Sequence, residues 1–95
     1  MARKNTKTDQ TKPQTFSITA PGALNVMLVG DFTSWQDKPI SMVKRDEGRW
    51  TASVNLPPGT YQYQFIVDGQ WRHDPDNTQR VPNPYGGENS VRTVS

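Results

Sequence analysis

The stretch Tyr61-Gln-Tyr-Gln-Phe-Ile-Val-Asp-Gly-Gln-Trp-Arg-His-Asp-Pro75 decides the fold class. Tyr61, Tyr63, Phe65 and Val67 occur at every second position, the period of a half-buried β-strand. Asp68-Gly69 then supplies two residues that tolerate positive φ, as a two-residue hairpin turn requires. With those two at the turn, Val67 faces Gln70 and Ile66 faces Trp71, and facing residues lie on the same side of a sheet. The four large side chains at odd positions form the core face. Trp71 is thereby placed on the outer face with Ile66 and Gln64, and an indole in that position marks a candidate binding surface.

Outward from the hairpin, the punctuation is that of an all-β domain. Pro57-Pro58-Gly59 turns the chain into it from Arg49–Leu56, where Trp50, Ala52, Val54 and Leu56 share one face and assign Trp50 to the core. Phe16–Thr19 alternates as a first strand, and Asn25–Val29 is an apolar run of strand length, expected to be central in its sheet. Asp31-Phe-Thr-Ser-Trp35-Gln-Asp-Lys-Pro39 reads as a loop carrying two aromatics, and Ile40–Lys44 as a short strand. His73–Gly87 is long, polar and rich in proline, the kind of loop that more often carries function than connects idly. Asn89–Val94 is the last strand. About seven antiparallel strands without a helical period predict two packed sheets in a β-sandwich of immunoglobulin-like size.

Charge narrows the choice of partner. The 95 residues carry 11 basic and 9 acidic side chains, but Met1–Gln14 holds Arg3, Lys4, Lys7 and Lys12 against Asp9 alone. This segment reads as a disordered basic tail, residues 1–14, ahead of a domain over 15–95 that carries 7 basic and 8 acidic residues. A nucleic-acid site normally shows a positive footprint on the fold itself, so no nucleic acid is expected as partner. The sequence has no cysteine and no apolar run of membrane-spanning length, so neither disulfides nor a membrane are expected, and the cytoplasm is the expected location.

The chain is poor in catalytic chemistry. It has one histidine, His73, no cysteine and no serine in a nucleophile-elbow context, which leaves triad mechanisms without parts. Asp68, Asp74 and Asp76 cluster near His73 but lack the spacing of a calcium loop. Asp68 is assigned to the hairpin turn, and Asp74 to a second turn closed by its own side chain. No enzyme activity, metal or cofactor is expected, which leaves binding.

Several of these segments together resemble a known family. Val26-Met-Leu-Val-Gly-Asp-Phe-Thr-Ser-Trp35, Trp50, Leu56-Pro-Pro-Gly-Thr-Tyr-Gln-Tyr63 running on to Pro75, and Gly86-Gly-Glu-Asn-Ser-Val91 are similar, in order and spacing, to the family 48 carbohydrate-binding modules. These include the glycogen-binding domain of AMP-activated protein kinase β subunits and the early-set domains of glycogen branching and starch debranching enzymes. The likeness covers about Thr15 to Val94. It implies an immunoglobulin-like sandwich that binds α-1,4-linked glucans such as glycogen, starch or maltooligosaccharides without catalysis. A catalytic domain or other protein partner is the second kind of neighbour it implies.

The resemblance also implies site residues. Trp35 and Trp71 match the two tryptophans of the sugar platform, and Asn89 matches an asparagine that bonds sugar hydroxyls. Two positions depart from the pattern: Gln64 stands where kinase-type modules have a lysine, and Tyr85 where they have a leucine that enters the centre of the curved oligosaccharide. Elementary chemistry agrees with such a platform, because a glucose ring has a C–H face suited to an indole and a hydroxyl rim suited to amides. The departures at Gln64 and Tyr85 motivate the alternative reading, a protein-interaction or structural sandwich with a weakened sugar site.

Overall fold

The computed structural model describes residues 11–95. Two antiparallel sheets form a β-sandwich, as expected. One contains β1 (Lys12–Thr19), β5 (Arg49–Leu56) and β4 (Val43–Lys44) in the order β1-β5-β4. The other runs β3-β2-β6-β9-β8, with β2 at Val26–Gly30, β3 at Ile40–Ser41, β6 at Gly59–Val67, β8 at Arg80–Pro82 and β9 at Glu88–Val94. The short β7 (Gln70–Arg72) also pairs with β6.

The inner faces meet along the alternation read from the sequence. Phe16 and Ile18 of β1 and Trp50 and Leu56 of β5 pack against Leu28 of β2 and Tyr63, Phe65 and Val67 of β6, all of them buried. Phe16 meets the Tyr63 ring edge-on at 4.8 Å, a favoured aromatic geometry. The Arg92 guanidinium lies 4.1 Å above the Phe16 ring and donates to Gln14 Oε1 and the Thr15 carbonyl, fastening β9 to β1.

The hairpin register is the expected one. Val67 pairs with Gln70 and Ile66 with Trp71, across a turn in which Asp68 has φ 49° and Gly69 φ 84°. Asp68 has a second role that no local pattern announces: its Oδ1 accepts the backbone N–H groups of Leu24 and Asn25, each at 2.9 Å, which ties the turn to the entry of β2. The outer face is not bare. Ile66, between Met27 and Trp71 in the ladder, is only 6% exposed, whereas Trp71 is 44% exposed.

Three boundaries differ from expectation. The strand foreseen over Ile40–Lys44 is divided at Met42: Ile40 pairs with Leu28 in one sheet and Val43 with Thr51 in the other, so the chain crosses between sheets there. β8 forms inside the long loop, a three-residue edge strand ending in proline, which periodicity cannot reveal at that length. These two changes raise the count from seven strands to nine among the described residues. Finally, the expected tail over residues 1–14 is too long. Lys12, Pro13 and Gln14 pair with Leu56, Asn55 and Val54, because β5 extends that far and offers its ladder to polar residues as readily as to apolar ones. Thr11 precedes the strand, and residues 1–10 of that tail lie outside the described residues.

Candidate functional site

The site forms on the outer face of the six-stranded sheet. Trp71 reaches it from β7 by hairpin register. Trp35 reaches it from the segment after β2, where the chain makes two successive 3₁₀ turns, Asp31–Thr33 and Trp35–Asp37. The two indoles lie 6.4 Å apart between ring centroids with 29° between their planes, forming a stacked pair.

The backbone that brings Trp35 there is unusual. Ser34 and Trp35 both have left-handed conformations, φ 52° and 57°, which cost about 1–2 kcal/mol per residue with a Cβ. Around them, the Asp37 N–H donates to the Ser34 carbonyl and the Lys38 N–H to the Thr33 carbonyl. The buried Thr33 hydroxyl accepts from the Gly30 N–H at 3.0 Å and lies 2.7 Å from the Trp35 carbonyl. Gly30 is required by contact: a Cβ there would stand 2.6 Å from the Gln62 carbonyl oxygen.

Beside the tryptophans lies a set of linked amides. Gln64 Nε2 donates to Asn89 Oδ1 at 2.6 Å, and Asn83 Nδ2 donates to the same oxygen at 3.1 Å. Asn89 Nδ2 in turn donates to Gln62 Oε1 at 3.0 Å. Asn83 Oδ1 accepts the N–H groups of Tyr85 and Gly87, holding the β8–β9 turn in shape and presenting Tyr85 at its tip, 93% exposed. After β7, Asp76 N–H donates to Asp74 Oδ1, which is the side-chain-closed turn expected there. Asp74 Oδ2 accepts from the Tyr63 hydroxyl at 2.7 Å. Burial is the main cause that pushes the Tyr63 pKa up to about 12; a hydrogen bond from Asn77 opposes the shift and Asp74 adds to it.

Trp35, Trp71, Gln64, Tyr85 and Asn89 therefore line one groove, of about 920 Å³. The family resemblance implies Gln64 and Asn89 as direct partners of a ligand; the structure shows both buried and bonded to each other, so a large part of their capacity goes to shaping the groove. Gln62 and Asn83 also line it. Gln62 was visible as the next polar position in the strand alternation; Asn83 lies in a turn with no periodic signal. Trp50 lies in the core with its Nε1–H donating to the Ala20 carbonyl, and the Lys44 ammonium lies 6.0 Å over its ring, away from the groove.

The groove thus combines two stacked indoles with an amide network, and has acidic rather than lysine or arginine side chains at its edge, a chemistry suited to a hydroxyl-rich ligand with flat apolar faces. The fold, with the family match that follows, is that of a carbohydrate-binding module. The chain belongs to the family of the glycogen recognition site of AMP-activated protein kinase, whose model matches residues 12–95. It is 41% identical over 85 residues to the pig 5'-AMP-activated protein kinase subunit beta-1, covering 90% of this chain and 66% of that one. It is 37% identical over 83 residues to the chloroplastic protein PTST homolog 2 of Arabidopsis thaliana, covering 86% of this chain and 15% of the other. The chain thus spans less than two thirds of these relatives. Among solved structures it is similar to a maltogenic amylase from S. marinus, with TM-score 0.73 and 26% identity over 87% of this chain and 13% of the enzyme.

Proposed function

We propose that the groove binds α-1,4-linked glucans without catalysing a reaction on them. In this reading Trp35 and Trp71 stack on successive glucose units, and Gln64 and Asn89 offer their remaining donor and acceptor positions to hydroxyls. Tyr85 closes the groove with an exposed ring. The observation that carries the reading is the stacked pair of indoles, 6.4 Å apart, beside a network of linked amides. Their tilt suits a ligand that curves, as an α-1,4 chain does. Membership in a glycogen recognition family supports the choice of ligand. Because the chain matches only part of its relatives, a catalytic domain or kinase partner is proposed as the unit this module serves, as the name of the pig protein suggests.

Ordering a flexible oligosaccharide offsets much of the stacking gain, so dissociation constants of about 10 μM to 1 mM are expected, with tighter apparent binding to polymers that engage several modules. The test is sedimentation with glycogen and with starch granules for wild type, Trp35→Ala and Trp71→Ala, alongside tryptophan fluorescence with maltoheptaose and β-cyclodextrin. Wild type should bind and both variants should lose binding. Unchanged fluorescence at about 5 mM oligosaccharide, well above the expected range, would refute the reading and leave a protein-interaction module.

A further inference from the structure

We infer that Thr33 is a positioning residue for the tryptophan platform: its hydroxyl holds Trp35 in the left-handed backbone conformation that sets its indole against Trp71. The inference rests on the glucan-binding reading for its functional consequence, and on geometry alone for its structural one.

Four observations converge on this residue. Thr33 is 4% exposed, an uncommon state for a hydroxyl in a surface loop. It sits between the close contact of Gly30 with β6 and the left-handed pair Ser34-Trp35. Its Oγ1 accepts the Gly30 N–H at 3.0 Å, the last residue of β2, and so is fastened to the sheet. The single hydroxyl proton has two carbonyls in reach, Trp35 at 2.7 Å and Gly30 at 3.1 Å. Donation to the nearer one links the sheet to the peptide that follows the Trp35 side chain.

A bulky residue does not adopt positive φ without a cause. The Asp37–Ser34 and Lys38–Thr33 backbone bonds span Trp35 and bring the ends of the loop together, but neither engages the carbonyl of Trp35 itself. The hydroxyl bond does. Without it, the carbonyl is released to rotate, and Ser34 and Trp35 can relax to right-handed or extended backbone, which swings the indole away from Trp71. A ligand that needs both rings in this arrangement would then meet a competent conformer only part of the time, and apparent affinity falls in proportion to that fraction.

The test uses Thr33→Val, which keeps shape but removes the hydroxyl, and Thr33→Ser, which keeps the hydroxyl. Thr33→Ala is a second deletion that adds no methyl group beside the Gly30 amide, for use if valine disturbs the fold. The first readout needs no ligand: two indoles at 6.4 Å and 29° couple excitonically and give a far-ultraviolet circular-dichroism couplet, defined as the difference between wild type and Trp71→Ala. The second is maltoheptaose affinity. The expected result is loss of the couplet and about a tenfold loss of affinity in the hydroxyl-free variants, with both restored in Thr33→Ser. A folded valine or alanine variant that keeps the couplet overturns the inference. A couplet that depends on the hydroxyl in a protein whose wild type ignores glucans upholds the positioning role and refutes the glucan reading, so the two failures are separable.

Discussion

The three tryptophans offer the sharpest separation of binding from stability. In Trp71→Ala the lost ring is 44% exposed and stands opposite Ile66 across a short edge pairing. Losing one cross-strand aromatic contact costs about 0.2–1 kcal/mol, so the midpoint of thermal unfolding should fall by at most about 8 °C. The effect on binding is larger. A glucose unit stacked on an indole hides about 100 Å² of apolar surface, worth about 2.5 kcal/mol at ~25 cal/mol/Å², or about 70-fold in Kd. Loss of Trp71 also removes the surface against which Trp35 stacks, so the defect should not fall short of that figure. Trp50→Ala gives the opposite pattern: its ring is 7% exposed between the sheets, and truncation there costs about 3–5 kcal/mol, a large share of a small domain's stability. Isothermal titration with maltoheptaose and urea denaturation of both variants measure the two quantities. A folded Trp71→Ala protein that binds within twofold of wild type would refute the stacking argument, because among the described residues Trp71 is the ring stacked with Trp35.

Other perturbations test the supports around this platform. Asp68→Ala removes the acceptor of two N–H groups and the tolerance for φ 49°, and should cost about 2 kcal/mol by denaturation, whereas Asp68→Asn should recover more than half; equal losses would show that the side-chain acceptor is immaterial. Asn89→Ala leaves Gln64 and Asn83 without their shared acceptor and should weaken maltoheptaose binding about tenfold while costing about 1–3 kcal/mol of stability; wild-type affinity would exclude the amide network from the site. The Tyr63 pKa is raised from 10.0 to about 12 in the folded protein. Its neutral form is therefore favoured by folding, so the contribution is complete below pH 10 and is lost as pH rises from 10 to 12. Urea midpoints across that window should fall more steeply for wild type than for Tyr63→Phe, and parallel slopes would contradict the assignment.

What the sequence determined by itself was whatever depends on neighbours along the chain. The two-residue period of Tyr61–Val67 and the turn chemistry of Asp68-Gly69 are local, and together they set the pairing of Ile66 with Trp71 and the side on which that indole stands, since a slip of one residue would turn the core set outward. Trp50 was legible as core for the same reason, in phase with Ala52, Val54 and Leu56. The resemblance to a glucan-binding family named Trp35, Gln64, Tyr85 and Asn89, but nothing local to them said how they meet. Only the tertiary structure decided that Trp35 turns through a left-handed backbone to lie against Trp71, and that Gln64 and Asn89 bond to each other. It likewise decided that Lys12–Gln14 extend the first strand along β5. Each of these depends on a group distant in the chain: an indole on β7, an amide on β9, a ladder edge on β5. A local pattern carries the period of a strand, but not the identity of what will stand across from it.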